Sequence, residues 1–147
     1  MSKTEDKELL LKDLSARLPY GVEVYYSETV PISTLKTINS EKRTCIVYDH
    51  SQWYRHSKFH IEEIKPYLRP MSSMTEEEKE ELLNRLPKCW GLEIDKLGDL
   101  YFDIRDISYP DIELLTDIID WLNAHHFDYR NLIELGLAID CTGLNVY

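Results

Sequence analysis

A pair of histidines at a spacing of four is the first candidate for chemistry in this chain. On a helix, His56 and His60 would place both imidazoles on one face, as in some zinc sites. No carboxylate or cysteine stands at a suitable spacing for a third ligand, and on a strand the two rings lie too far apart to chelate one ion directly. We therefore expect two surface histidines, no metal site and no cofactor.

A second set, His125, His126 and Asp128, has the residue types of a general acid–base pair. The simpler interpretation is structural, because histidine at a helix C-terminus interacts favourably with the helix dipole and aspartate can cap the next helix. No serine or cysteine has the context of a known nucleophile motif, and none of the five glycines forms a phosphate-binding loop. The sequence therefore predicts a protein that is not an enzyme, although a triad assembled from distant positions would leave no local signal.

Aromatic side chains are the strongest candidates for binding. The chain has ten tyrosines and three tryptophans, and several of them cluster near two basic residues in the first half. Tyrosine, tryptophan and arginine dominate interaction hot spots, and the same rings could stack on a nucleotide base. Half-buried strands also select aromatic residues, so the rings could instead fill the core of a small sheet. The candidate binding residues are Tyr25, Tyr48, Trp53, Tyr54, Arg55 and Lys58.

The elements that would position these residues are mostly strands. Leucines at spacings of three and four predict a helix over 5–18, which Pro19 ends because the residue before a proline avoids the helical region. β-Branched and aromatic residues predict three strands, the last two of which form a hairpin. These strands cover 22–26, 35–38 and 44–48.

The segment from Trp53 to Ile64 leaves two interpretations open: another strand, or a short strand that leads into a turn of helix. It contains two of the aromatic candidates, so their surroundings depend on this choice. Pro66 and Pro70 then exclude a regular helix between them, and we expect an extended or tight connector that closes the first half.

The second half contains the clearest local signal. Thr75 can cap the first turn of a helix while Glu78 reaches back to the Thr75 N–H, which predicts a helix over 76–85. A hairpin formed by 90–94 and 100–104 should follow. The second half is therefore expected to combine a helix with a separate two-stranded element.

Two further helices are predicted towards the C-terminus, over 111–123 and 129–135. Asp128 can cap the second of these helices and Gly136 can end it. We expect the remaining tail, 137–147, to pack on the body of the protein. The predicted apolar face of the first helix consists of Ile112, Leu115, Ile118, Ile119 and Leu122.

Together these elements predict an α+β fold in one domain, 1–147, with a strand-rich part over 1–70 and a helix-rich part over 71–147. We expect a small, twisted antiparallel sheet packed with three to four helices. A partly open barrel of the SH3-like kind is one form that the strands of the first half could take.

The net charge of −10, from 17 basic and 27 acidic residues, bears on the class of partner. Direct nucleic-acid binding is disfavoured, because the overall field repels polyanions. A protein partner with a basic face is more compatible with this charge, since complementary fields speed encounter.

The compartment is predicted from the cysteines and the apolar runs. Cys45, Cys89 and Cys141 are odd in number and widely spaced, unlike a secreted disulfide framework. The N-terminal residues MSKTEDKELLLKDL interleave charges with leucines, and no run approaches the ~18 apolar residues of a membrane span. We therefore expect a cytoplasmic protein with reduced thiols and no membrane contact.

Three segments carry a resemblance that covers most of the chain. They are Leu10–Tyr20 (LLKDLSARLPY), Ile64–Thr75 (IKPYLRPMSSMT) and Trp121–Leu137 (WLNAHHFDYRNLIELGL). Together they resemble a family of small uncharacterised proteins of phages, prophages and mobile elements in gut Bacteroides-type bacteria. The resemblance implies a genomic setting and brings no enzymatic residues with it.

This setting implies an accessory role, and inhibitors of host defence are one class of such proteins. The segments 28–60 and 86–110 lie between the matching ones and are natural places for partner recognition. The sequence-based hypothesis is a non-enzymatic module that binds and modulates a host protein. The alternative is a small-molecule sponge that sequesters a nucleotide immune signal, with Trp53, Tyr54, Arg55 and Lys58 around the ligand.

Overall fold

The computed structural model describes residues 2–30, 32–50, 55–86, 90–94, 100–104 and 112–147. The chain is divided into two compact units, which we name after their main elements. The sheet unit is Met1–Leu68 with Arg130–Tyr147, and the helical unit is Arg69–Tyr129. The single domain expected from the sequence stays a prediction.

The described residues form three helices and eight strands. In chain order these are α1 (Lys3–Arg17), β1 (Glu23–Tyr25), β2 (Ser33–Asn39), β3 (Thr44–Asp49), β4 (His56–His60), β5 (Lys65–Leu68), α2 (Glu76–Asn84), β6 (Trp90–Ile94), β7 (Leu100–Ile104), α3 (Ile112–Ala124) and β8 (Ile139–Asp140). The predicted α+β class is confirmed. No helix among the described residues is long and apolar enough to cross a membrane.

Six strands of the sheet unit form one sheet in the order β4–β3–β2–β1–β5–β8. Neighbouring strands run antiparallel except β5 and β8, which are parallel, so the sheet is mixed rather than wholly antiparallel. Across the described residues the sheet is not closed, which is consistent with the predicted partly open barrel.

The predicted strands of the first half are confirmed as β1, β2 and β3. The hairpin of β2 and β3 pairs Leu35 with Val47 and Ile38 with Cys45. In the ambiguous segment, β4 leads directly into a short 3₁₀ turn over Ile61–Glu63. The second of the two interpretations is therefore confirmed for its described part.

One face of the sheet forms a core with α1. Leu10 and Leu14 of the helix belong to one buried cluster with Val24, Leu35 and Val47 of the strands. Because successive side chains of a strand alternate between the two faces, the intervening residues point away from this core. We call that opposite side the outer face of the sheet.

The same helix contributes a buried ion pair. Arg17 Nε lies 2.7 Å from Asp13 Oδ2, and both side chains are fully buried. Arg130 Nε approaches the other carboxylate oxygen at 3.9 Å. A spacing of four on a helix brings the two side chains together, and the pairing offsets the cost of taking each charge out of water.

The C-terminal tail packs on the sheet unit, as expected from its composition. β8 adds a strand beside β5, and the Cys141 N–H donates to the Leu68 carbonyl at 2.9 Å. The Tyr147 hydroxyl donates to the Tyr67 carbonyl at 2.9 Å and accepts from the Glu23 N–H at 3.0 Å. These bonds connect the last residue to β1 and β5.

The helical unit begins with the predicted capping box, which is confirmed. The Glu78 N–H donates to Thr75 Oγ1, and the Thr75 N–H donates back to the Glu78 carboxylate, both at 3.2 Å. Arg69 donates to the same carboxylate through two nitrogens at 2.7 and 2.8 Å. The Arg69 guanidinium, aided by Thr75, lowers the pKa of Glu78 to about 2.

The core of the helical unit is aromatic and aliphatic. The Trp121 and Phe127 rings stack with centroids 5.8 Å apart, and Ile118 and Leu122 are buried as predicted. The predicted apolar face was too wide, because Leu115 and Ile119 of the same helix are 39% and 44% exposed. The side chain of the fifth predicted member, residue 112, lies outside the described ones.

The predicted helix over 129–135 is wrong, because the structure has successive turns there. Within the helical unit, the Asp128 N–H donates to the Arg69 carbonyl at 2.8 Å, so this residue joins a β-bridge region instead of capping a helix. Asn131 has a φ of 59°, which a right-handed helix excludes. Gly136, with a φ of 74°, has the predicted left-handed conformation.

The predicted hairpin of the second half is confirmed as β6 and β7, which pair antiparallel from Trp90 with Ile104 to Ile94 with Leu100. Its turn lies outside the described residues. The start of the predicted helix over 111–123 also lies partly outside them, and α3 covers the rest.

Candidate functional site

The outer face carries the candidate site. Its members are identified by strand alternation and by the pairing register. They are Glu23 and Tyr25 on β1, Thr34 and Thr37 on β2, Ile46 and Tyr48 on β3, and His56 and Lys58 on β4. Hydroxyl, aromatic, imidazole and ammonium groups therefore lie together on one side of four neighbouring strands.

One row of side chains crosses all four strands. His56 pairs with Tyr48, Tyr48 pairs with Thr34, and Thr34 pairs with Glu23. The rings of Tyr48 and His56 lie 4.9 Å apart in a tilted contact. Directly opposed residues of antiparallel strands have their side chains close together, so the row is continuous from the exposed His56 to the buried Thr34 and on to Glu23.

Tyr48 is the centre of this row. His50 contacts its ring edge-on with centroids 5.1 Å apart, and the Lys36 ammonium lies 5.5 Å from its centroid. The pairing register of β2 shifts between Leu35 and Thr37, at the position of Lys36. Cations near the face of a tyrosine ring are attracted to its π-electrons, so these neighbours hold the half-buried ring in place.

Thr34 links the row to a carboxylate. Its hydroxyl donates to the Glu23 carboxylate at 2.9 Å and lies within hydrogen-bond distance of His50 Nε2. Since a hydroxyl has one proton, donation to Glu23 leaves its oxygen to accept from the imidazole. The arrangement orients His50 towards the sheet.

Tyr25 lies on the same face but two strands away from Tyr48. Its ring meets the Tyr67 ring edge-on, at 6.5 Å between centroids and 89° between planes. Burial raises the pKa of the Tyr67 phenol above its usual value. On the outer face, Tyr25 therefore contacts Tyr67 and lies apart from Tyr48.

The remaining predicted binding residues separate into two groups. Arg55 and Lys58 are exposed, and the Arg55 carbonyl accepts from the Asp49 N–H at 2.8 Å. Trp53 and Tyr54 lie outside the described residues. The structure thus brings Tyr48 and Lys58 onto neighbouring strands of one face and places Tyr25 further along it.

Sequence reasoning missed Thr34, Lys36 and His50 as members of this surface. It expected His56 and His60 to be surface histidines, and both are exposed, but it did not place His56 in a binding surface. The described residues contain no group of three or more His, Cys, Asp or Glu arranged for a metal ion. Alternation along β3 could have placed Tyr48 on the solvent side. The pairing register that aligns it with Thr34 and His56 has no signal in the local sequence.

A hollow of about 330 Å³ adjoins the row at the turn between β2 and β3. The Lys42 N–H in this turn donates to Asn39 Oδ1 at 2.9 Å. None of the described lining residues is acidic. We call this feature the hairpin hollow, and it is lined by Thr37, Ile38, Asn39, Lys42, Thr44, Cys45, Ile46 and Lys58.

The cysteines give no sign of reactivity in the described structure. Cys45 and Cys141 are buried free thiols, and Cys89 lies outside the described residues. Burial raises the pKa of Cys45 to about 11, so its thiolate is scarce at neutral pH. Cys45 therefore acts as an apolar core residue.

The helical unit presents a contrasting surface. Four glutamates of α2 are exposed, at 76, 77, 80 and 81. On α3, the exposed Leu115 and Ile119 lie among Glu113 and Asp120, which are also exposed. Acidic and apolar groups alternate here, whereas the outer face of the sheet is aromatic and basic.

Comparison with known proteins adds no relative to this picture. No family model, curated protein or solved structure matches the chain. The resemblance to the mobile-element family stays an expectation based on its three segments.

Proposed function

We propose that this chain is a non-enzymatic accessory protein of a phage or mobile element that binds and modulates a host protein through the outer face, as an inhibitor of host defence would. The observation that carries the proposal is the Tyr48 ring at the centre of the row, with His50, His56 and Lys36 around it. Tyrosine is among the residue types that contribute most to the binding energy of protein interfaces.

The shape of the site supports a protein partner. The row reaches the surface at its exposed His56 end, beside the half-buried Tyr48, and Ile46 next to it is 37% exposed. β4 is the last strand on its side of the sheet among the described residues, and an edge strand offers backbone groups to a partner. An extended contact of this kind suits a protein surface.

Charge gives the partner two separate requirements. The net charge of −10 favours encounter with a host protein that has a basic face. At the outer face itself, Lys36, Lys58 and the histidines outnumber Glu23, so the groups that contact it are expected to be acidic or neutral acceptors. A partner with both features fits this chain best.

The second candidate function is a sponge for a nucleotide immune signal. It is favoured by the position of the hairpin hollow, because Ile46 lines the hollow and is two residues from the Tyr48 ring. A base could stack on Tyr48 and His56 while its phosphate meets Lys58. The overall negative charge opposes this function.

The test is capture from a lysate of a gut Bacteroides-type host with tagged wild-type protein and three variants. Tyr48→Ala and His56→Ala alter the row, and the double variant Leu115→Ala/Ile119→Ala alters the exposed apolar pair of α3. Bound proteins are identified by mass spectrometry, and the same eluates are extracted for nucleotides. Circular dichroism of each variant confirms that it is folded.

We expect one stoichiometric host protein that wild type and the α3 variant retain and the two row variants lose. Equal capture by all four proteins would contradict a role for the outer face. A nucleotide without a protein partner, released intact on denaturation, would replace the first function by the second.

A further inference from the structure

We propose that the hairpin hollow is a binding site for a phosphoryl group. The inference deepens the second candidate function and rests on the outer face being the binding surface of this chain. It concerns groups that the aromatic row does not use, namely the two lysines and the two threonines around the hollow.

The hollow provides donors of several kinds. Lys42 and Lys58 each contribute an ammonium group, and Thr37 and Thr44 contribute hydroxyls. The Asn39 side-chain oxygen already accepts from the Lys42 N–H, which leaves the amide NH₂ to donate outwards. A phosphoryl group has three oxygens that accept charge-assisted hydrogen bonds, so it matches a site with several donors.

The ammonium groups of the two lysines of the hollow have no carboxylate partner among the described residues. Neither Lys42 nor Lys58 makes an ion pair within the described residues. What sets these two lysines apart is that they line one hollow together and no acidic residue lines it with them. A compact site with two positive charges and no acidic lining residue selects an anion by simple electrostatics.

A second groove of the sheet unit shows the difference. It has a volume of about 220 Å³, and its lining includes Lys3 and Lys7 but also Asp6 and Glu62. Lys7 Nζ lies 2.7 Å from Glu62 Oε1, so its charge is already balanced. Mixed signs give that groove no preference for an anion, although it also contains lysines.

The position of the hollow further defines the ligand. Ile46 on β3 pairs with Lys58 on β4. Tyr48 lies two residues after Ile46, and His56 lies two residues before Lys58. Two residues along a strand span about 7 Å, which is of the order of the distance between the phosphate and the base of a nucleotide. A phosphate in the hollow would therefore leave the attached base over the rings.

The experiment is a titration of ¹⁵N-labelled full-length protein followed by amide chemical shifts. The probes are inorganic phosphate, adenosine monophosphate and adenosine. They are added to wild type, to the double variant Lys42→Gln/Lys58→Gln and to the control Lys3→Gln/Lys12→Gln. The control removes two exposed positive charges of α1 in the same unit, so both variants have the same net charge.

We expect phosphate to shift the amides of the β2–β3 turn and of β4 in wild type and control. In the hollow variant the affinity should fall about tenfold or more, because both charge-assisted contacts are lost. Tighter binding of the monophosphate than of phosphate would identify a nucleotide as the source of the phosphoryl group. Equal affinities for the two would assign the site to the phosphoryl group alone.

Two results would overturn the inference: no saturable shifts with any phosphate probe, or equal binding by the hollow variant and the control. The capture experiment does not depend on either result. If the row variants lose a host protein while phosphate fails to bind, only the phosphoryl site is wrong. If phosphate binds the hollow and no protein is captured, the protein-binding function is wrong.

Discussion

The two units of this chain place their charges in opposite ways. The sheet unit buries an ion pair, Asp13 with Arg17, and exposes an aromatic and basic outer face. The helical unit buries an aromatic core around Trp121 and Phe127 and exposes the glutamates of α2. The difference shows that the net charge of −10 agrees in sign with the exposed glutamates of the helical unit and does not describe the outer face of the sheet unit.

The same comparison separates two sources of stability. In the helical unit the interior is held by ring contacts and aliphatic packing, so truncation should leave a cavity. In the sheet unit part of the interior is ionic, so removal of one partner should leave an uncompensated charge.

Truncation of the aromatic core should have the largest effect. Trp121 is 4% exposed and stacks on both His125 and Phe127. We expect Trp121→Ala to lower the free energy of unfolding by about 4 kcal/mol, since it removes buried surface and leaves a cavity. Urea denaturation measures this change, and Trp121→Phe should lose much less. A loss below about 1 kcal/mol would show that the ring is not part of a packed core.

Breaking the buried ion pair should be nearly as costly. We expect Arg17→Ala to lower the free energy of unfolding by about 3 kcal/mol, because Asp13 stays buried and, among the residues that the structure describes, only Arg130 remains as a cation near it. The matched control is Arg43→Ala, whose partner Glu8 is exposed and whose ion pair should contribute less than about 1 kcal/mol. Similar losses in the two variants would contradict the buried pair.

The bond between Arg69 and Glu78 should make stability depend on pH. The folded pKa of Glu78, about 2, is below its usual value of 4.5. Its contribution should therefore be full above pH 4.5 and lost as the pH falls towards 2. We expect Glu78→Gln to cost about 1–2 kcal/mol at pH 7, after allowance for solvent screening.

The unfolding free energies of wild type and Glu78→Gln should converge in acid. Denaturation at a series of pH values tests this directly. Exposed Glu76 provides the control, since it pairs with Lys79 on the surface and Glu76→Gln should leave the pH dependence almost unchanged. A constant difference between wild type and Glu78→Gln down to pH 2 would contradict the lowered pKa.

The smallest effect is expected at the end of the sheet unit. Tyr147→Phe removes only the hydroxyl that bonds to the Tyr67 carbonyl and the Glu23 N–H. We expect a loss of about 1 kcal/mol, because two backbone groups lose their partner while the ring remains. Thermal denaturation measures it, and an unchanged midpoint would show that the tail does not fasten β1 to β5.

The sequence correctly predicted elements that are held by hydrogen bonds between residues close in the chain. The capping box of Thr75 and Glu78 involves residues three apart, and the hairpin of β2 and β3 involves strands close in sequence. Both follow from residue preferences that act over a few positions. The α+β class followed from the succession of such elements.

The errors occurred where distant segments decide the structure. The predicted helix over 129–135 is absent because residues before and within it bond to other parts of the chain, as Asp128 does to Arg69. The connector between Pro66 and Pro70 begins extended, as predicted, and what the sequence did not indicate is its pairing with β1 and β8. Pro66 pairs with Val24 of β1, while β8 begins its pairing at Tyr67. A proline is tolerated where a neighbouring strand needs no N–H from it.

The candidate site shows the same limit. The sequence indicated Tyr48 and Lys58 from residue type, but their alignment with Thr34 and His56 depends on the register of four strands. Register is a property of the assembled sheet and follows from the burial of one face. The sequence therefore predicted residue types of the outer face but not which residues lie together on it.

The central claim is that the outer face of the sheet unit binds a host protein. Calorimetric titration of the captured protein against wild type, Tyr48→Ala and the α3 variant Leu115→Ala/Ile119→Ala tests it most directly. We predict that Tyr48→Ala weakens binding about tenfold or more, as expected for a hot-spot tyrosine, while the α3 variant binds like wild type. Unchanged affinity of Tyr48→Ala with a loss in the α3 variant would contradict the claim and move the binding surface to the helical unit.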